Sequence, residues 1–129
     1  MDGSLAAYLW IALGSGLGGL ARFICAGAVT ARFGAVFPWG TLVVNVVGSF
    51  VIGVFAAFSA RGGWLGDPTL DAFVMIGVCG GYTTFSSVSL QTLELARERA
   101  WWHVLANVVV SVGLCLVAVW LGLHAGRGP

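Results

Sequence analysis

The stretch Gly77-Val78-Cys79-Gly80-Gly81-Tyr82-Thr83-Thr84-Phe85-Ser86-Ser87-Val88-Ser89-Leu90-Gln91 constrains this chain more than any other. It lies in a segment apolar enough to cross a membrane, yet it sets Gly80-Gly81 beside Thr83-Thr84 and Ser86-Ser87. Glycine costs about 1 kcal/mol against alanine in a helix, and serine and threonine compete for backbone hydrogen bonds. The sequence therefore predicts a helix interrupted between Gly80 and Ser86. Broken backbone at membrane depth leaves amides and carbonyls that hydrocarbon cannot satisfy, so it is tolerated only where protein or a polar cavity surrounds it. Such a break marks an ion or substrate site.

Of the 129 residues, 59% are hydrophobic and only 9% charged, against about 25% charged in a soluble domain. At ~20 apolar residues per crossing, the length accommodates four spans with short loops. The expectation is an all-α membrane protein, a single four-helix transmembrane domain over residues 1–129 with its third helix broken. Its spans run from Ser4 to Val29, Pro38 to Ala60, Thr69 to Ala96 and Trp102 to His124. The many short alternating strands of a barrel are absent. Asp2, with no basic region before the first apolar run, makes that run a span and not a cleaved signal peptide. A net charge of +1 without a basic cluster argues against nucleic acid as a partner. Cys25, Cys79 and Cys115 are too scattered for a disulfide framework or a metal set. The pattern from Gly14 to Gly19 matches GxGxxG, but no strand precedes it and no ribose-binding acid follows. Gly14 and Gly18 are read instead as a close helix contact.

Two polar stripes cross the apolar helices: Thr41, Asn45 and Ser49 on the second, and His103, Asn107, Ser111 and Cys115 on the fourth, each at intervals of four residues. With the hydroxyls of Thr84 and Ser86 at the break, they suggest a lined path. The spans carry no Asp or Glu in their interior, Glu94 lying at the end of the third helix, which counts against a proton-coupled carrier. Catalysis lacks an acidic orienting partner and a metal set. Neutral hydroxyl and amide donors suit an anion that must lose its water. Arg22 is either an interfacial anchor or the positive lining of a water-filled vestibule.

The residues Gly80-Gly81-Tyr82-Thr83-Thr84-Phe85-Ser86 resemble the GGxTTFS signature of the small prokaryotic fluoride channels, the Fluc or CrcB family. The run from Pro38 to Phe50, with Asn45 at its centre, is similar to the family's second motif, and Gly18-Gly19-Leu20-Ala21-Arg22-Phe23 to its first. The resemblance covers essentially the whole chain. It implies a passive, fluoride-selective channel in the prokaryotic plasma (inner) membrane that exports cytoplasmic fluoride and relieves its toxicity. It implies pathways along the interface of an antiparallel, dual-topology homodimer, lined by Asn45, Phe85, Thr41, Thr84, Ser86 and Ser111, with Arg22 facing a vestibule. It further implies a structural Na+ held by the backbone carbonyls of Gly80 and Thr83 from each subunit, glycine serving there as backbone permission. Phe85 by composition alone is a packing residue, and only the resemblance makes it pore-lining.

Two positions depart from the family pattern: Val88 stands where the family has a second pore-lining Phe, and Gln91 where it usually has Glu. A homodimer with a less stringent ring arrangement is one explanation, and a heterodimer with a paralogue that supplies the ring is another. A non-conducting partner subunit and a small dual-topology transporter are the alternatives. The transporter reading lacks the embedded Glu it would need between Ser4 and Val29. Arg61 and Arg127 on one side against Arg32, Arg97 and Arg99 on the other barely fix an orientation, so the chain is expected to insert both ways. An antiparallel dimer then supplies the inverted symmetry that four helices lack internally.

Overall fold

The helix ends follow from the residues that flank them. In the computed structural model, which describes residues 4–128, Ser4 caps α1 (Leu5–Phe33) by accepting from the Ala7 N–H at 3.2 Å. Gly34 stops α1 with a φ of 86°, and its N–H returns to the Thr30 carbonyl. The first span therefore runs one turn past Val29, because nothing between Thr30 and Phe33 opposes a helix. That extension puts Arg22 in the interior of α1 instead of near its end. The next helix, α2 (Trp39–Ser59), opens after Pro38. A short 3-10 turn, Gly63–Gly66, leads to Asp67, whose carboxylate accepts from the Thr69 and Leu70 N–H groups. Pro68 fills the first helical position, where no N–H is required.

The third span comes in pieces: Pro68–Asp71 (α3), a π-helical stretch Ala72–Cys79, a last turn Gly80–Tyr82 (α4), and then α5 (Phe85–Arg97). Only Thr83 and Thr84 leave the helix, with φ, ψ of −82°, 160° and −152°, 121°. The break is thus narrower than the sequence suggests. Gly80 sits at φ −64°, ψ −39°, ordinary right-handed helix open to any residue, so its glycine supplies no backbone permission here. The chain closes with α6 (Trp101–Arg127), after a turn in which Arg99 takes a φ of 56°. All four spans are long and apolar enough to cross a membrane, and no strand occurs among the described residues.

Small residues decide which helices pair. A Cβ at Gly18 would overlap the Val78 carbonyl, and one at Gly81 would strike the backbone of Ser15, so α1 and the third span touch backbone to backbone. A second seam joins α2 to α6, where a Cβ at Gly53 would meet Val119 and one at Gly122 would meet Phe50. Lipid offers no hydrophobic drive for helices to associate, so such close contact is what holds spans together. The most enclosed helix is α2, with 39% of its most apolar window buried against 11–17% in the other three spans. The break in the third span therefore opens against the wall of the most shielded helix.

Candidate functional site

Losing two helical residues at membrane depth strands backbone groups, and the sequence satisfies them with side chains. Asn45, on α2 and 8% exposed, donates from Nδ2 to the Thr84 carbonyl at 2.8 Å and accepts the Thr84 N–H on Oδ1 at 2.7 Å. One amide side chain so mimics a strand partner for an extended residue. The Thr84 hydroxyl caps α5, accepting from the Ser87 N–H at 3.1 Å, and lies 3.0 Å from the Ser86 hydroxyl. Thr83 turns its hydroxyl back to the Cys79 carbonyl at 2.9 Å, and its own carbonyl lies 3.5 Å from Arg22 Nη1. Half-buried Arg22 thus reaches the break from the interior of α1.

Beside this clamp lies a groove of about 320 Å³, open on one side, where Asn45, Ser49, Thr84, Phe85, Val88 and Ser111 come together. Phe85 is 81% exposed at its edge. The break and both stripes meet here, but not along their full lengths. Thr41 is buried one turn from Asn45, in a separate cleft of about 340 Å³ that it shares with Thr30, Gln91, Glu94 and Glu98. Ser86 is exposed beside Thr84 and is not among the residues lining the groove. In the second stripe His103 is exposed, while Asn107, 2% exposed, bonds across to Thr92 at 2.9 Å. Thr92 continues to the Val88 carbonyl at 2.7 Å, and Ser111 touches Asn107 Oδ1 at 3.5 Å. Asn107 is therefore a tie between α5 and α6, with Ser111 and Cys115 above it facing the groove. Thr83 and Thr92 carry roles that the stripe periodicity does not reveal, since each is also met by a side chain from another helix, the Thr83 carbonyl by Arg22 and the Thr92 hydroxyl by Asn107.

Comparison with known proteins decides the family. The family described as "CrcB-like protein, Camphor Resistance (CrcB)" matches residues 9–123. This chain belongs to the CrcB family. A protein of Opitutus terrae named "Fluoride-specific ion channel FluC" is 57% identical over 94% of this chain and 92% of its own length. One of the same name from Methylocella silvestris is 52% identical over 89% and 88%. A Bradyrhizobium diazoefficiens protein named "Fluoride-specific ion channel FluC 2" is 49% identical over 96% and 91%.

In this CrcB chain both departures from the family pattern have a definite place. Val88, the position that the resemblance sets against a family Phe, lines the groove one α5 turn beyond Phe85. Gln91 lies in the cleft with Thr41, its Oε1 buried and unpartnered among the described residues. No cluster of His, Cys, Asp or Glu that could hold a metal occurs among the described residues. The break does release backbone oxygen. The Thr84 N–H that an unbroken helix would send to Gly80 goes to Asn45, and the Ser87 N–H that would meet the Thr83 carbonyl goes to Thr84 Oγ1. Carbonyls freed in this way are the hard oxygen donors that alkali and alkaline-earth cations prefer.

Proposed function

We propose that this chain forms a passive, fluoride-selective channel in the inner membrane of a prokaryote, through which cytoplasmic fluoride leaves the cell and its toxicity is relieved. The observation that carries this reading is the chemistry of the groove at the break: hydroxyls, an amide and a ring, with no Asp, Glu, Lys, Arg or His side chain lining it among the described residues. Fluoride must shed tightly held water to pass, so it needs neutral donors in succession, and the edge of Phe85 adds the positive part of a ring quadrupole. A carboxylate would repel the ion. The names of the relatives support fluoride as the ion.

The open groove and the exposed Phe85 support completion by a second copy of the chain. The near-even Arg balance supports inverted insertion of that copy, and so an antiparallel homodimer. The freed Gly80 and Thr83 carbonyls, two from each subunit, would hold a structural Na+ between copies. A carbonyl has two lone pairs, so the approach of Arg22 to Thr83 leaves one for the ion. Replacing sodium by a large organic cation during purification is expected to shift dimer toward monomer, and unchanged dimer would contradict the assignment.

Val88 in the groove favours one further reading, a heterodimer in which a paralogue supplies the ring. A bacterial strain made fluoride-sensitive by loss of its own exporter tests both. Expression of this chain alone is expected to restore growth in fluoride, and its Phe85→Ile form is not. Rescue only on co-expression with a paralogue would establish the pair, and no rescue in either case would contradict the channel.

A further inference from the structure

The cleft at Thr41, about 340 Å³ between α1, α2 and α5, is set with oxygen atoms that nothing in the chain answers. Gln91, Glu94 and Glu98 recur at intervals of three and four on α5, so they share the face turned to the cleft. Glu94 and Glu98 are exposed, and among the described residues neither carboxylate takes part in a hydrogen bond or an ion pair. Like charges four apart on a helix repel, and this pair stands at the C-terminal end of α5, where the helix dipole is negative as well. Arg97 and Arg99, beside them in sequence, are exposed and pair with neither.

Two features set the cleft apart from a solvated acidic surface. Gln91 Oε1 is buried and unpartnered among the described residues, and a buried acceptor without a donor is costly. Thr41, only 8% exposed, lines the opposite wall on α2, and its hydroxyl makes no hydrogen bond among the described residues. An amide oxygen, a hydroxyl and two carboxylates therefore border one space, and no Lys, Arg or His lines it among the described residues. Such a set calls for a cation. It has no group of three His, Cys, Asp or Glu and no nitrogen or sulfur ligand, which turns it from zinc toward a hard ion. Two long glutamate side chains and two neutral oxygens suit the adaptable shell of about six to eight oxygens around Ca2+ better than the strict octahedron of Mg2+. The Gly40 and Thr41 N–H groups, uncapped at the start of α2, offer donors for carboxylate oxygens that the ion leaves over.

We propose that this cleft binds one calcium-class divalent cation per chain, through Glu94, Glu98, Gln91 Oε1 and the Thr41 hydroxyl. The site lies one turn of α2 from Asn45, so a bound ion offsets negative charge that would hold an anion away from that end of the groove.

Equilibrium dialysis of the purified protein against radioactive calcium, in a buffer free of fluoride, tests this without reference to conduction. The wild type is expected to take up one ion per chain, half-saturated on the order of 1 mM. Gln91→Glu adds a third carboxylate and is expected to bind about tenfold more tightly, whereas Gln91→Leu, neutral like the wild type, is expected to bind about tenfold more weakly. Glu94→Gln combined with Glu98→Gln is expected to abolish saturable uptake. Absence of saturable uptake by the wild type would overturn the proposal, and that arm needs no variant to fold. So would equal affinity in Gln91→Leu and the wild type, which would reduce the cleft to a pair of surface acids. Unchanged affinity in Gln91→Glu would overturn it as well, by placing residue 91 outside the ion's reach.

Discussion

The Asn45 amide spends its acceptor and one donor on the extended backbone of Thr84. Removing it therefore acts on the fold as well as on the ion. Asn45→Ala strands the Thr84 N–H and carbonyl in a buried site, at about 2–4 kcal/mol for the two groups together. A clear drop in thermal midpoint is expected alongside slower fluoride efflux. Asn45→Asp keeps an acceptor for the N–H but sets a carboxylate against the Thr84 carbonyl, and is expected to be at least as damaging. An Asn45→Ala protein of unchanged stability and reduced flux would make Asn45 an ion ligand alone. Asn45 was legible in the sequence because an amide recurs with Thr41 and Ser49 on one face of an apolar helix. Its partner was not, since the bond joins residues 39 positions apart and no local spacing encodes it. Thr41 shares the stripe but not the groove, because the groove is set by the level of the break and Thr41 lies one turn beyond it.

At the scale of elements, the glycines of the signature do a different job from the one their position suggests. Thr83 and Thr84 make the break, by satisfying the backbone through their own hydroxyls and through Asn45. Gly81 instead lets α1 approach at Ser15. Gly81→Ala is accordingly expected to disrupt the seam between α1 and the third span, seen as aggregated or monomeric protein on size exclusion. Gly27→Ala, where an added Cβ meets nothing within 4 Å, is expected to leave elution and flux unchanged. Equal behaviour of the two variants would refute the seam. The four spans and the interrupted third one could be read from apolar run length and local helix propensity. The π-helical Ala72–Cys79 could not, because a stretch that is apolar on every face carries no periodicity to betray a change of pitch.

At the scale of the whole molecule, one end carries Arg61 and Arg127 and the other Arg32, Arg97 and Arg99. Arg61 is tied to the end of α6 through the Gly126 carbonyl and lies over the Phe58 ring. The loop at Gly62 and Gly63 holds positive φ at both, so Trp64, exposed in the same loop, is the better place for a label. A single cysteine there, with Cys25, Cys79 and Cys115 replaced, is expected to be labelled in part from each side of the membrane. Labelling from one side only, in a chain that conducts alone, would exclude the antiparallel arrangement. The central claim is that this chain forms a passive path for fluoride, and its most direct test is ion release from liposomes in which it is the sole protein. With valinomycin to balance charge, the account predicts rapid fluoride release that is indifferent to a proton gradient, with chloride retained. Fluoride release that requires a proton gradient, chloride release at the same rate, or no release at all would contradict it.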